Sequence, residues 1–235
     1  MGERGACRQK SVLIYQKGAN DQVLDKSGFD DWAGSYEGDV FREKEKGYPF
    51  AGYAQTLSLI QQTILDSEAG RRILDIGVGT GLLSEILYQN GYEITGVDFS
   101  EKMLEIARRK MPGARFIRAD LGGDSSKINL ECCFDFIIST YALHHLPDDR
   151  KVRLISSLTE RLAPDGMFLI GDIAFLSAAH REEVRASSSG WDENEYYFAA
   201  DDFLARLAAL PLQAEFVQTS ICSGVLKLVK DRAMR

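Results

Sequence analysis

Three glycines stand close together in the segment Asp75-Ile76-Gly77-Val78-Gly79-Thr80-Gly81. The apolar residues 72–76 before the first glycine predict a strand, and the leucine-rich residues after the last one predict a helix. Glycines at such a turn remove side chains, so a ligand can approach the backbone, and the helix N-terminus offers free N–H groups to an anion. These residue types and their spacing indicate a binding loop that contains Gly77, Gly79 and Gly81.

The glycine spacing differs from that of a dinucleotide-binding loop. The dinucleotide pattern G-x-G-x-x-G needs its third glycine at the position of Leu82, and here that glycine comes one residue early. Asp75, two residues before Gly77, adds negative charge that is unfavourable beside a pyrophosphate. The same charge suits a ligand that carries both a carboxylate and an ammonium group, so an amino-acid moiety fits the loop better.

Two further acids follow at regular spacing. Asp98 ends the second predicted strand, 21 residues after the first glycine, where a carboxylate can accept hydrogen bonds from both hydroxyls of a ribose. Asp120 ends the third strand, 22 residues later, where it could accept from the exocyclic amine of adenine. Phe99, Met103 and Leu121 would give the base apolar walls. Tight packing alone would explain the glycines, but acids at this spacing favour an amino acid joined to adenosine.

The elements that must position these residues alternate between strands and helices. Predicted strands cover residues 72–76, 94–98, 115–119, 134–139 and 167–173. Predicted helices cover residues 51–66, 82–89, 101–110 and 149–162, with Ser100 as an N-cap and Pro164-Asp165-Gly166 as a turn. In the second helix the predicted inward face consists of Leu82, Leu83, Ile86 and Leu87. The alternation implies an α/β fold with a parallel sheet covered on both faces.

The end of the chain breaks this alternation. Residues 215–219 and 224–229 both read as strands, and only four residues separate them. That connection is too short for a parallel crossover, so the two strands are predicted to pair antiparallel.

Residues 174–212, between the fifth strand and this hairpin, are predicted to form a substrate-side insertion or lid. They contain a predicted helix at 201–210 and an unusual mixture of acidic and aromatic side chains at 187–198. Core packing would explain Trp191, Tyr196 and Tyr197 as well as a lid does, and the sequence leaves the two interpretations open.

Residues 74–81, together with Gly96-Val97-Asp98-Phe99-Ser100, resemble class I S-adenosylmethionine-dependent methyltransferases. The resemblance covers about residues 71–172, and the phrase from Phe29 to Tyr36 is similar to the segment that many small-molecule members place over the cofactor. It implies a Rossmann-like three-layer sandwich with a seven-stranded, mostly parallel sheet whose last strand is antiparallel. We expect a single domain over residues 29–235 after an N-terminal segment, residues 1–28, that is partly mobile.

The resemblance also implies a cofactor and its contacts. The cofactor would be S-adenosyl-L-methionine, with Gly77, Asp98 and Asp120 matching the contacts to its methionine, ribose and adenine parts. Tyr36 and Tyr53 are expected beside it, although plain packing would explain both aromatic residues equally well.

The segment 139–147 leaves the fourth strand at the crevice, where a methyl acceptor must arrive. The backbone groups of Thr140 and Tyr141 are expected near the cofactor. His144 or His145 could take a proton from the acceptor, since an unperturbed histidine is half-neutral near pH 6.5, and we place the catalytic role at His144. A purely structural role of this pair in the loop is the alternative.

Charge and hydropathy exclude several classes of function. The 28 Lys and Arg residues against 35 Asp and Glu residues give a net charge of −7, and no basic run offers a site for nucleic acid. The longest apolar runs are about six residues long, far shorter than the roughly 20 residues that span a bilayer. Four basic residues interrupt any signal-peptide core in the first part of the chain. We therefore expect a cytoplasmic protein, monomeric or homodimeric.

The cysteines and histidines do not show the spacing of a metal-binding motif along the sequence. Cys7, Cys132, Cys133 and Cys222 show no C-x-x-C spacing, and we expect reduced thiols. Only three histidines are available, and they do not cluster with cysteines along the sequence, so we expect no metal site.

The function that these features predict is transfer of a methyl group to a small-molecule acceptor by in-line displacement. The acceptor atom, whether oxygen, nitrogen, carbon or sulfur, is left open by the sequence. Two alternatives remain: a non-catalytic module that binds S-adenosylmethionine and regulates a partner, and an NAD(P)-dependent oxidoreductase, which the position of Leu82 disfavours.

Overall fold

The computed structural model describes residues 48–120, 130, 133–188 and 190–231. The strands are β1 (Arg72–Ile76), β2 (Glu93–Asp98), β3 (Arg115–Arg118), β4 (Phe134–Thr140), β5 (Leu162–Phe175), β6 (Phe198–Ala199), β7 (Leu212–Gln218) and β8 (Ser223–Lys230). The helices are α1 (Tyr53–Leu65), α2 (Leu82–Gln89), α3 (Glu101–Lys110), α4 (Asp148–Thr159), α5 (Ala178–Ser187) and α6 (Ala200–Leu207), with a 3-10 turn at Leu143–His145. The expectations for residues 1–28, the phrase 29–36 with Tyr36, and Leu121 lie outside the described residues.

Seven strands form the continuous sheet, in the order β3-β2-β1-β4-β5-β8-β7. β1 to β5 are parallel to one another, whereas β8 runs antiparallel to both of its neighbours, β5 and β7. The two-residue β6 adds a short parallel pairing at the end of β5. The predicted seven-stranded, mostly parallel sheet and its antiparallel last strand are thus confirmed.

The strand order reverses beside β1, which has β2 on one side and β4 on the other. At such a reversal the connections leave the sheet in opposite directions and open a crevice at the carboxyl ends of the strands. The loop of three glycines follows β1, so the topology places it at this crevice.

Each face of the sheet packs against its own layer of helices. On one face Ile73 and Phe136 pack with apolar side chains of α1, α2 and α3. On the other face their chain neighbours Leu74 and Ile137 pack with α4 and α6. Alternate residues of one strand therefore point to opposite layers, which produces the predicted three-layer arrangement and its near-continuous apolar strands.

The inward face of α2 differs from the prediction. Leu83 and Leu87 are buried as expected, but Leu82 is half-buried and Ile86 is 37% exposed. The remaining inward position belongs to Ser84, whose hydroxyl donates a 2.6 Å hydrogen bond to buried Asp75. A polar residue thus occupies the core-facing row, because the carboxylate beneath the helix needs a donor.

Two elements after β4 also differ from the prediction. The expected turn at residues 164–166 lies inside β5, where the pairing with β4 shifts between Phe134 and Phe136 and leaves extra residues on β5. Helix α5 was missed because Val184 is its only buried side chain, so it carries no apolar periodicity. Ser177, which accepts a hydrogen bond from the His180 amide as N-cap, was the available signal.

Among the described helices, none combines the length and apolar composition that a membrane crossing requires.

Close packing of α1 on β5 predicts a stability effect at Gly171. A Cβ atom there would lie 2.5 Å from Thr56 Cγ2 and 2.8 Å from Ile60 Cδ1, so Gly171→Ala should force α1 away from the sheet. We expect a loss of about 1–3 kcal/mol in the free energy of unfolding, measured by urea denaturation. Adding Thr56→Ser removes the nearer methyl group and should recover part of the loss; strictly additive effects would contradict this contact.

Candidate cofactor and methyl-transfer site

An open cleft of about 920 Å³, including the part open to solvent, lies at the carboxyl ends of β1, β2 and β4. Ten of the predicted site residues line it: Tyr53, Asp75, Gly77, Gly79, Asp98, Phe99, Met103, Asp120, Thr140 and Tyr141. Gly81 and His144 do not line the cleft, and His145 lines it instead. The structure thus brings most of the predicted set together from four different strands and their loops.

The glycine loop presents backbone to the cleft. Gly77 and Val78 continue the pairing with β2, because their amides donate to the Val97 carbonyl at 2.8 and 3.0 Å. Gly79 has a positive φ of 54°, and a Cβ built on it would meet no atom within 4 Å, so it faces open space. At Gly81 a Cβ would lie 2.5 Å from Met111 Cε, so that glycine permits α2 to pack on its neighbours.

Asp98 ties this loop to the end of β2. One carboxylate oxygen accepts from the Gly79 amide at 2.8 Å, and the other accepts from the Ser100 amide at 2.9 Å. The side chain is almost fully buried, yet it lines the cleft. Each carboxylate oxygen can accept more than one hydrogen bond, so ribose hydroxyls can be added without breaking these contacts.

Asp75 is a buried acid beneath the glycine loop. Its Oδ2 accepts from Ser84 Oγ at 2.6 Å, whereas its Oδ1 has no hydrogen-bond partner among the described residues. Burial, and in addition the negative charge of Asp98, raise the pKa of Asp75 to about 7, although the Ser84 hydrogen bond opposes this rise. A buried oxygen without a donor is unfavourable, and an ammonium group in the cleft would satisfy it.

The remaining predicted contacts lie on two sides of the cleft. Phe99 and Met103 line it just after β2, and exposed Asp120 lines it two residues after the end of β3. On the other side the rings of Tyr53 and Tyr141 lie 4.5 Å apart between centroids. Tyr53 packs in the core and also lines the cleft, so it lies where the expected contact with the cofactor would be made.

Tyr141 adopts an uncommon backbone conformation where β4 leaves the sheet. Its φ of 50° lies in the left-handed region, the only such non-glycine value in the part of the chain that the structure describes. Its hydroxyl donates to Ser223 Oγ at 3.1 Å, and its amide donates to the Gly171 carbonyl at 2.8 Å. Such strain persists only where surrounding contacts enforce it, and it is common at ligand sites.

The two histidines have different partners. His144 Nδ1 lies 2.6 Å from Asp172 Oδ1, and the same carboxylate accepts from the backbone amides of Leu143, His144 and Ile173. His145 Nδ1 lies 2.9 Å from both carboxylate oxygens of Glu195. Two imidazole–carboxylate pairs therefore lie side by side, with the ring centroids of the histidines 4.1 Å apart.

The environments of the two rings shift their pKa values in opposite directions. Burial alone would lower the pKa of His144, but the charge and hydrogen bond of Asp172 outweigh it and raise the pKa. Burial and the positive charge of His144 lower the pKa of His145, and Glu195 offsets only part of that. The arrangement favours a protonated His144 beside a neutral His145.

His144, His145 and Glu195 also form a group that the sequence did not reveal. Their candidate ligand atoms lie within 4.8 Å of one another, which is the kind of cluster that can hold a metal ion. The prediction of no metal site rested on sequence spacing, and Glu195 is 50 residues from its partner His145. No local pattern could have brought the three together.

The aromatic residues of the predicted lid pack in an aromatic cluster beside the cleft. Trp191 stacks on Tyr48 with centroids 5.0 Å apart, and buried Tyr197 accepts a 2.6 Å hydrogen bond from the Tyr48 hydroxyl. Tyr196 is 47% exposed, and its amide donates to the His144 carbonyl at 2.7 Å. Tyr197 thus packs as a core side chain, and half-buried Trp191 packs against it.

Comparisons with known proteins give the family. A sequence model of the methyltransferase domain matches residues 73–166. An uncharacterized methyltransferase of Oceanobacillus iheyensis is 35% identical over 180 residues, which cover 72% of this chain and 80% of that protein. A second, from Geobacillus kaustophilus, is 32% identical over 214 residues, which cover 86% of this chain and 95% of that protein. The chain therefore belongs to the methyltransferase family.

Solved structures show the same fold. A complex of DhpI with SAH has a TM-score of 0.63 and 17% identity, covering 88% of this chain and 95% of that one. Magnesium protoporphyrin IX methyltransferase of Synechocystis with bound SAH has a TM-score of 0.62 and 22% identity. The match covers 88% of this chain and 100% of that one. The class I methyltransferase architecture that the sequence predicted is thus confirmed.

The raised pKa of Asp75 predicts opposite effects on stability and binding. Because the pKa is near 7 in the folded chain and about 3.8 when unfolded, the folded state holds the proton more tightly, and stability falls as pH rises through this window. Asp75→Asn should therefore raise the free energy of unfolding near pH 8 by an amount on the order of 1–4 kcal/mol, and by less near pH 5.

The same variant should bind S-adenosylhomocysteine about tenfold more weakly or worse, because the amide removes the charge beside an ammonium group. Urea denaturation at both pH values and calorimetry with the ligand measure the two effects, with exposed Asp66→Asn as the control. A loss of stability near pH 8 would show that the Asp75 charge is already compensated in the ligand-free protein.

The two hydrogen bonds of Asp98 predict that removing its carboxylate lowers both ligand affinity and the stability of the fold. Asp98→Ala should weaken binding of S-adenosylhomocysteine by about 1.5–3 kcal/mol, and it should also lower stability because the Gly79 and Ser100 amides lose their acceptor. Asp120→Asn, at an exposed position of the same cleft, should weaken binding less, since its amide oxygen can still accept. A larger calorimetric loss for Asp120→Asn would contradict the adenine assignment.

Proposed function

We propose that this methyltransferase transfers the methyl group of S-adenosylmethionine to a small-molecule acceptor bound in the cleft. The observation that carries the proposal is the unpaired, buried Oδ1 of Asp75 in a cleft that Gly79 and Asp98 also line. A ligand with an ammonium group at one end and a ribose at the other satisfies both acids at once.

The described residues offer partners for the ammonium, ribose and adenine parts of this cofactor. Asp75 would hold the ammonium group of the methionine part, and the open face of Gly79 admits the backbone of the ligand. Asp98 would accept from the ribose, and Asp120 from the adenine amine between Phe99 and Met103. When bound, the cofactor supplies a methyl group on a positively charged sulfur, so the chain needs no nucleophile of its own.

The walls of the cleft and the charge of the chain support a small acceptor. Tyr53 and Tyr141 line one side, and a net charge of −7 is unfavourable for binding nucleic acid. Magnesium protoporphyrin IX methyltransferase, a protein of the same fold, is named for a small molecule. These observations favour a small acceptor over a macromolecule.

The segment 174–212 would contribute specificity from the acceptor side. Through the contact of Glu195 with His145, it reaches a residue that lines the cleft. Loops at this edge of the sheet vary with the substrate while the sheet holds the cofactor, so changes in this segment should alter acceptor choice first.

Ligand-dependent stability tests the cofactor. S-adenosylmethionine and S-adenosylhomocysteine should each raise the free energy of unfolding, by about 2.7 kcal/mol at 100 times Kd, whereas NAD should not. The reason is that the site matches an amino acid and adenosine, and Asp75 repels a pyrophosphate. Equal thermal shifts with NAD would contradict the proposal.

Methyl-labelled cofactor incubated with the protein and a cell extract tests the transfer. Mass spectrometry of the small-molecule fraction should find a labelled product, and the Asp98→Ala variant is the matched control. Binding of the cofactor without any labelled product, across extract and a broad acceptor panel, would favour the non-catalytic regulatory module.

A further inference from the structure

We propose that His145, held by Glu195, is the general base that takes the proton of the methyl acceptor, and that the acceptor atom therefore carries a hydrogen that it loses on methylation. This inference rests on the proposed function. It moves the catalytic role by one residue from the position that the sequence suggested.

Geometry distinguishes His145 from its neighbour. His145 lines the cleft together with Tyr141 and Thr140, and its side chain is 30% exposed. His144 is not among the residues that line the cleft, its side chain is only 11% exposed, and its Nδ1 lies 2.6 Å from Asp172 Oδ1. Only His145 is therefore positioned to meet a molecule bound in the cleft.

The contact with Glu195 fixes the tautomer of His145. Both carboxylate oxygens lie 2.9 Å from Nδ1, and a carboxylate is an acceptor, so the hydrogen of a neutral ring belongs on Nδ1. Nε2 then carries the lone pair that accepts a proton. After the transfer the imidazolium is stabilised by Glu195, as in other acid–imidazole pairs.

The buried environment of His145 favours the neutral form of its ring, which is the form that can act as a base. Burial is the largest cause that lowers the pKa of His145, the positive charge of His144 adds to it, and the charges of Glu195 and Asp172 oppose it without cancelling it. A neutral ring at neutral pH is the form that can accept a proton. Asp172 acts in two opposite ways: its own charge raises the pKa of His145, whereas it also favours the protonated form of His144, whose charge lowers the pKa of His145.

The proposed step balances in atoms and electrons. The acceptor's electron pair forms the bond to the methyl carbon, and the hydrogen on the acceptor atom passes as a proton to Nε2 of His145. The electron pair of the broken carbon–sulfur bond stays on the sulfur, which loses its positive charge. His145 returns the proton to solvent when the product leaves.

Two measurements on the ligand-free protein test the base without any acceptor. In an NMR pH titration, the His145 ring should titrate below the ordinary value of about 6.5 and below His144. Diethylpyrocarbonate, which modifies neutral imidazole, should react with His145 faster than with His144 near neutral pH, as located by mass spectrometry. A His145 that titrates above His144 would overturn the assignment.

Transfer kinetics with the acceptor found by isotope labelling complete the test. His145→Gln should lower kcat by about 100-fold or more and remove the acidic limb of the pH profile, with binding of S-adenosylhomocysteine unchanged. Glu195→Gln should lower kcat by a smaller factor of about tenfold. His180→Gln, on α5 and away from the cleft, is the matched control and should behave as wild type.

Binding of S-adenosylhomocysteine separates the two levels of the proposal. If neither wild type nor variants bind it, the proposed function fails; if all bind it and His145→Gln keeps kcat within about threefold, only the general base fails. Stoichiometric zinc in the purified protein, together with loss of transfer on chelation, would replace the base by a metal site at His144, His145 and Glu195. If the His145→Gln variant does not fold, the kcat of Glu195→Gln and the NMR titration of the wild-type protein test the general base instead.

Discussion

One buried carboxylate holds the cleft in shape. Asp98 ends β2, yet its two oxygens accept from the Gly79 amide of the loop after β1 and from the Ser100 amide at the start of α3. A single side chain thus links the end of β2 to the loop that precedes α2 and to the N-cap of α3. Because Asp98 is almost fully buried and also lines the cleft, the group expected to bind the ligand is the group that builds the site. Binding and local stability are therefore coupled at this position.

Asp75 shows the opposite relation between stability and function. Its unpaired oxygen and its raised pKa are unfavourable in the ligand-free chain, and they become favourable when a cationic group enters. Replacing it by asparagine would remove the buried charge, keep an acceptor for Ser84, and remove the attraction for a cationic ligand group. Ser84, which α2 turns toward this carboxylate rather than toward solvent, limits the penalty without removing it. Such local instability is a common feature of binding sites, where it is retained for function.

The features that could be predicted from the sequence are those that a local pattern of residues determines. The glycine loop, the two acids and the Ser100 cap follow from residue type and spacing, and the structure brings the described ones together at one cleft. Ser84 and α5 were missed because apolar periodicity does not detect a polar residue that faces the core, nor a helix with one buried side chain. The contact of His145 with Glu195 joins residues 50 positions apart, and no short-range signal encodes it. The limits of the prediction therefore lie at polar, long-range contacts, where function also lies.

The two adjacent histidines illustrate how a small element assigns different roles. Residues Leu143–His145 form a 3-10 turn, in which consecutive side chains point about 120° apart. Leu143 is therefore buried in the core, His144 meets Asp172, and His145 meets Glu195 and the cleft. An α-helix or an extended strand would separate successive side chains by about 100° or 180°, and the same three residues would meet different partners. The turn itself is held by the Asp172 carboxylate, which accepts from the Leu143 and His144 amides. The acid that raises the pKa of His144 is thus also the acid that holds the turn from which His145 reaches the cleft, so one carboxylate contributes both to the orientation of the proposed base and to the charge beside it.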